Sequence, residues 1–267
     1  MMDLRVAAVV SRSPLGRIKD NLEQAFHFSR LAKEAGADIV CFPEMSLTGY
    51  ANHAAIVDLA QPVTGPICRQ LSSIARETGL LILAGMAEYN PKGKPFAAHC
   101  IFQPDGLVQT YRKLHLAPPE KPFFSAGNEI QVFRFKKMRF SIQLCYDAHF
   151  PELTIQMVAN GAEVIFIPHA SPRGDAQTKH QSWMRHLPAR AFDNSIFVVA
   201  CNQIGDNGIG LHFPGNAVAI DPSGHIIASR LKNSEGLLMA DLKASALKMV
   251  RSHPMRYFFP NRRTDLY

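Results

Sequence analysis

Three residues stand out by type and by place. Cys145 closes the apolar run Phe140-Ser-Ile-Gln-Leu144 and leads into a polar turn before Phe150-Pro151-Glu152. Glu44 follows the short apolar run Ile39–Phe42. Lys113 follows the strand-like stretch Leu107–Arg112. A thiol can attack an electrophilic carbon, a carboxylate can take its proton, and an ammonium can stabilise the oxyanion that forms. Each residue alone also has a structural reading: Cys145 as core filler, Glu44 as a turn cap, Lys113 as a surface cation. Together, at the ends of strands that meet at one edge of a layered fold, they point to a covalent hydrolase.

The elements that would position them follow from periodicity. Leu4–Val10 is an apolar run of the kind buried on both faces of a sheet. Leu22, Ala25, Phe26, Phe28, Leu31 and Ala32 form a helical stripe that Gly36 stops. Strand, helix, strand is the opening of an α/β fold. A helix from Pro66 to Thr78, with Gly79 as its stop, precedes a strand at Leu80–Glu88. Two hairpins follow: Ala97–Phe102 with Leu107–Arg112, and Val132–Phe135 with Phe140–Leu144. A helix from Pro151, a strand at Val164–Ile167, one long helix from Ala176 to Asn194 bent at Pro188, and a strand at Ile196–Ala200 come next. Strands at Ala217–Asp221, Ile226–Ser229 and Leu237–Asp241 and a helix at Lys243–Ser252 complete the chain, before an aromatic, basic tail at 253–267. Alternation and hairpins together predict mixed sheets with helices outside. No compositional break marks a linker, so 1–267 reads as a single domain.

Composition excludes several classes. The 267 residues are 47% apolar and 19% charged, as in an ordinary globular protein. No run of about twenty apolar residues marks a membrane span. The five cysteines (Cys41, Cys68, Cys100, Cys145, Cys201) form no CxxC pair, which fits a reducing cytoplasmic setting. The net charge of +7 is spread along the chain, so a nucleic-acid partner is not expected. His169, His180 and His186 lack metal-ligand spacing, and no glycine-rich phosphate loop follows a strand, so no metal or cofactor is expected.

The motifs resemble the nitrilase superfamily of carbon–nitrogen hydrolases. Phe42-Pro43-Glu44, then Tyr111-Arg112-Lys113-Leu114-His115-Leu116, then Cys145-Tyr146-Asp147 with Phe150-Pro151-Glu152 carry the likeness. Arg190-Ala-x-Asp193-Asn194 with Asn202, and Pro214-Gly215 with Asp221-Pro-Ser-Gly224, extend it over nearly the whole chain. The resemblance implies a four-layer α-β-β-α sandwich of two mixed sheets and a catalytic triad of Glu44, Lys113 and Cys145. Glu120, in Pro118-Pro119-Glu120-Lys121, matches a fourth polar residue of many members, which would orient substrate or water; a solvated loop carboxylate is its structural reading. The backbone N–H of Tyr146 would be the second oxyanion donor. The implied activity is hydrolysis of a small linear amide or N-carbamoyl compound through a cysteinyl thioester, with release of ammonia. Nitrile hydrolysis, or a silent ligand-binding member of the fold, is the alternative. The tail is similar to one that members use in dimer contacts, so a homodimer or higher homo-oligomer is expected.

Four further residues are candidates for substrate binding. His149 stands where many members carry arginine. Arg173 and His169 follow the strand after the cysteine helix and would reach the same edge. Trp183, the only tryptophan, lies on the long helix as pocket wall or core.

Overall fold

The computed structural model describes residues 1–266. Tyr267, the last residue of the expected tail, lies outside the described residues. The first half of the chain lays down β1 (Leu4–Val10), β2 (Ile39–Cys41), β3 (Leu81–Glu88), β4 (Phe96–Phe102) and β5 (Val108–Arg112). The second half lays down β6 (Phe133–Phe135), β7 (Met138–Ile142), β8 (Val164–His169) and β9 (Phe197–Asn202). A small ribbon of β10 (Ile204–Asp206) and β11 (His212–Pro214) comes next, followed by β12 (Ala217–Ile220), β13 (Ile226–Arg230) and β14 (Gly236–Leu242). One sheet has the order β14-β1-β2-β3-β4-β5 and the other β13-β12-β9-β8-β7-β6. In each, three central strands run parallel (β1-β2-β3 and β7-β8-β9) and the flanking pairs are antiparallel. These are the two mixed sheets expected.

Among the described residues seven α-helices accompany them: α1 (Ile18–Glu34), α2 (Ala55–Asp58), α3 (Pro66–Thr78), α4 (Pro151–Ala159), α5 (Ala176–Met184), α6 (Leu187–Asn194) and α7 (Ala244–Arg251). α1 and α3 bury Leu22, Ala25, Phe28, Ile67, Leu71 and Ile74 against one face of the first sheet. α4 and α6 bury Leu153, Met157, Leu187 and Ala191 in the same core as the second sheet. Between the sheets, Val6 and Ala8 of β1 share that core with Phe140, Phe166 and Phe197. Fully burying one such phenylalanine contributes about 2–3 kcal/mol, so the sheet-to-sheet core dominates the stability of the sandwich.

The structure departs from expectation in four places. The long helix at 176–194 is two helices, broken at Arg185–His186. Pro188 lies in the first turn of α6, where its missing N–H costs nothing. The β10–β11 ribbon was not foreseen, because its strands are three residues each and show no alternation. β7 stops at Ile142, short of Leu144: the Leu144 N–H donates to Asp147 Oδ2 at 3.0 Å, not to a neighbouring strand. The tail does find internal packing, since Phe259 leans on the main core and Phe258 sits 5.4 Å from Phe192, ring to ring. Among the described residues no helix is long and apolar enough to cross a membrane.

Candidate active site

The C-terminal ends of β2, β5, β7, β8 and β9 meet at one rim of the sandwich. After β2 the chain turns across β3. Ser46 Oγ accepts from Gly85 N–H at 3.2 Å, and Thr48 Oγ1 accepts from Ala87 N–H at 3.0 Å. This places Glu44, fully buried, over the sheet. The crossing needs Gly85: a Cβ there would collide with Met45 N and press on the Glu44 carbonyl carbon at 3.1 Å.

Lys113 arrives from β5, also buried, with 1% exposure. Its ammonium donates to Glu44 Oε1 at 2.9 Å and to Glu120 Oε1 at 2.7 Å. Glu120 Oε1 also accepts from the Tyr50 hydroxyl at 2.9 Å, and Oε2 accepts from Ala117 N–H at 2.7 Å. Glu44 Oε2 accepts from Ala170 N–H, just beyond β8, at 2.9 Å. A lysine so deeply buried would ordinarily lose its proton. The two carboxylates outweigh that burial and hold the ammonium well above its usual range. Burial pushes the Glu44 carboxyl up to about 7, against the pull of Lys113 and with a further push from Glu120.

Cys145 opens a one-turn 3-10 helix, Cys145–His149, and has φ +42. That left-handed conformation costs a non-glycine residue roughly 1–3 kcal/mol. Asp147 holds the turn in place. Its buried carboxylate accepts from Leu144 N–H, His115 N–H at 2.8 Å and the Tyr111 hydroxyl at 2.8 Å. The thiol is partly exposed at the base of a cavity, whereas the other four cysteines are buried. Burial, reinforced by Glu44, pushes the Cys145 thiol up to about 12, and Lys113 pulls it back. The Tyr146 N–H lies in the first turn of the 3-10 helix, where backbone donors have no intrahelical acceptor.

The cavity encloses about 260 Å³ and is lined by Cys145, Lys113, Glu120, Tyr50, Asn52, Tyr146, His149, Ser171 and Arg173, among others. Its size and lining suit a small polar molecule. Seven of the nine residues singled out in the sequence are therefore gathered here: six line the cavity, and Glu44 lies behind Lys113. His169 and Trp183 are not part of the wall. Trp183 is 2% exposed and stacks on His169 at 4.5 Å, and His169 Nδ1 sits 2.7 Å from Ile167 O. Trp183 packs in the main core, the core alternative of its two readings. His149 is exposed at the mouth, 4.7 Å from His186, and its partial burial with Arg190 nearby pushes it below the usual histidine range. Among the described residues no three of His, Cys, Asp and Glu converge as metal ligands.

Sequence reasoning gave no site role to Tyr50, Asp147, Lys179 or Asn202. Lys179 Nζ donates to Ser171 Oγ at 2.8 Å and Pro172 O at 3.0 Å, and Asn202 bonds the Ser171 backbone. Asp147, inside the cysteine motif, and Asn202, in the motif after the late helix, carried a signal that could have found them; Tyr50 and Lys179 did not. Asn216 uses its amide to hold Ala176 O at 2.7 Å and so anchors the start of α5.

The carbon–nitrogen hydrolase family profile matches residues 5–252. The chain belongs to this family. It is a hydrolase of carbon–nitrogen bonds. A 2-oxoglutaramate amidase of Bacillus subtilis is 31% identical over 257 residues, spanning 94% of this hydrolase and 95% of the relative. A nitrilase of Pyrococcus abyssi is 27% identical over 268 residues, spanning 99% of each chain. The solved structure of an amidase from Nesterenkonia sp. AN1 in complex with butyramide superposes with a TM-score of 0.83 at 26% identity, covering 98% of the hydrolase and 95% of that chain. The two-sheet sandwich described above is thus the nitrilase-superfamily fold.

Proposed function

We propose that this protein hydrolyses a small linear amide or N-carbamoyl compound through a thioester on Cys145. The observation that carries this reading is the Lys113 ammonium, shared between Glu44 and Glu120 in the cavity where the only partly exposed thiol opens. Glu44 takes the thiol proton as Cys145 attacks the carbonyl carbon, and the carbonyl π pair becomes an oxyanion facing Lys113 and the Tyr146 N–H. Glu44 then gives that proton to the nitrogen, the C–N bond breaks, and ammonia leaves. Water, deprotonated by Glu44, hydrolyses the thioester and restores the thiol. With the thiol near 12 and Glu44 near 7, a resting thiolate would cost on the order of 7 kcal/mol. The proton therefore moves as the carbonyl arrives. Glu120 is held in place by three donors: the Lys113 ammonium, the Tyr50 hydroxyl and the Ala117 N–H.

The test is ammonia release from pooled small amides, N-carbamoyl compounds and nitriles, with carbon dioxide measured in parallel. The reading predicts ammonia from amides or carbamoyl compounds and none from Cys145→Ala or Glu44→Gln. Faster turnover of nitriles than of any amide would overturn it.

The same reading takes 1–267 as one catalytic domain in a reducing cytoplasm, acting as a homodimer or larger assembly. Phe192, Phe258 and Met255 are 43%, 41% and 78% exposed, and Phe192 and Phe258 stand side by side, an apolar face suited to a second copy. Light scattering on a chain ending at Ser252 should show a loss of mass per particle; an unchanged particle size would count against it.

A further inference from the structure

The segment Ala170–Arg173, between β8 and α5, is held from three sides. From β9, Asn202 Oδ1 accepts from Ser171 N–H at 2.9 Å, and Asn202 Nδ2 donates to Ser171 O at 3.0 Å. From α5, Lys179 reaches back to Ser171 Oγ and Pro172 O. From β11, His212 O accepts from Arg173 N–H at 3.1 Å. The helix that presents Lys179 is itself fixed: Asp175 Oδ1 caps Thr178 N–H at 2.7 Å, and Asn216 holds Ala176 O.

What this segment delivers is a single backbone donor. Ala170 N–H is the only partner of Glu44 Oε2 among the described residues, as Lys113 is of Oε1. The carboxylate plane is thus set by one bond from each sheet. Among the described residues neither Asn202 nor Lys179 hydrogen-bonds Glu44, so both reach it through the segment; Lys179 also pulls the Cys145 thiol down directly. Burial lowers Lys179 from the usual lysine range, against a pull from Cys145; among the described residues no carboxylate forms a salt bridge with it, and its hydrogen bonds go to two oxygens of the segment.

We propose that Asn202 and Lys179 are positioning residues for the proton-transfer step, clamping the Ala170 segment so that its N–H orients Glu44. This rests on the reading of Glu44 as the proton carrier. The groups that face Glu44 are Lys113 at the end of β5, Glu120 in the following loop, the Tyr50 and Tyr111 hydroxyls, Cys145 ahead of α4 and the Ala170 N–H. Only the last depends on the clamp. That N–H bond favours the ionised carboxylate, so losing it raises the pH at which Glu44 ionises.

The test is the pH profile of kcat/KM for a small primary amide, measured from well below to well above neutrality on Lys179→Met, Lys179→Arg, Asn202→Ala and Glu44→Gln. Lys179→Met and Asn202→Ala should move the acid limb upward and lower kcat about tenfold, more than they raise KM. Lys179→Arg, which keeps donors at that position, should restore the limb. A structural defect alone would lower activity without moving the limb. Limbs that superimpose on the parent enzyme's while Glu44→Gln is inactive would overturn the clamp and leave the proton carrier standing. An active Glu44→Gln would overturn the proton carrier itself. If Asn202→Ala does not fold, the Lys179 pair decides.

Discussion

Glu44 and Glu120 stand on either side of one buried ammonium, 2.9 and 2.7 Å from Lys113 Nζ. Two carboxylates so near each other would not both ionise without it. The partners then separate their roles. Glu120 has three donors across its two oxygens, while Glu44 has two and sits near neutrality. Glu44 is thus poised to exchange a proton, and Glu120 is the more tightly held of the two.

The acid limb of kcat/KM is expected near pH 7, because Glu44 must be ionised to receive the thiol proton. Activity rises as pH increases through that value. Glu120→Gln removes a negative neighbour, so the limb should move to lower pH even as kcat falls. A limb that moves upward would contradict this arrangement.

Lys113→Met leaves two buried carboxylates facing each other. The expected cost is about 3–5 kcal/mol of stability, with activity lost along with the oxyanion donor. Urea titration and ammonia release check the two effects separately. A stable but inactive variant would mean that one carboxylate takes up a proton to compensate.

Iodoacetamide should modify Cys145 well before Cys41, Cys68, Cys100 or Cys201, all of which are buried. The reaction should be slower than that of a free cysteine at neutral pH and accelerate in base, because the thiol is held near 12. Peptide mapping by mass spectrometry reads both features. Comparable modification of any second cysteine would contradict the exposure described here.

Gly85→Ala should displace the turn that carries Glu44, since the added methyl meets Met45 N and the Glu44 carbonyl carbon. A loss of about 1–3 kcal/mol is expected, with a disproportionate loss of kcat. Thermal melting alongside steady-state kinetics distinguishes the two. Full activity in a destabilised variant would mean that the turn relaxes elsewhere.

Asp147→Ala strands Leu144 N–H, His115 N–H and the Tyr111 hydroxyl in a buried setting. The expected destabilisation is about 3 kcal/mol or more, and the thiol should lose its placement. Burst-phase acylation at a temperature where the variant remains folded would show the second effect.

Glu44 and Cys145 stood out because each follows an apolar run, and Lys113 because it ends a strand-like stretch. The groups that tune them did not. Tyr50 meets Glu120, Ala170 meets Glu44 and Asn202 meets Ser171 only after the chain has folded back across many strands. Nothing in the local pattern of those residues marks a long-range partner. The break at Arg185–His186 was hidden for a related reason: Pro188 fits a bent helix as well as the first turn of a new one. For His169 and Trp183, direction along a strand end is visible in sequence, but depth behind a wall is not.

Glu44 and Lys113 come from the first sheet, and Cys145 and the Ala170 N–H from the second. Turnover therefore reports the registration of one sheet on the other. Heating that lets the sheets slip by a fraction of a side chain should silence the enzyme while its helices and strands are still intact. Activity would then fail at a lower temperature than far-ultraviolet circular dichroism, as a vernier loses alignment before either scale is damaged.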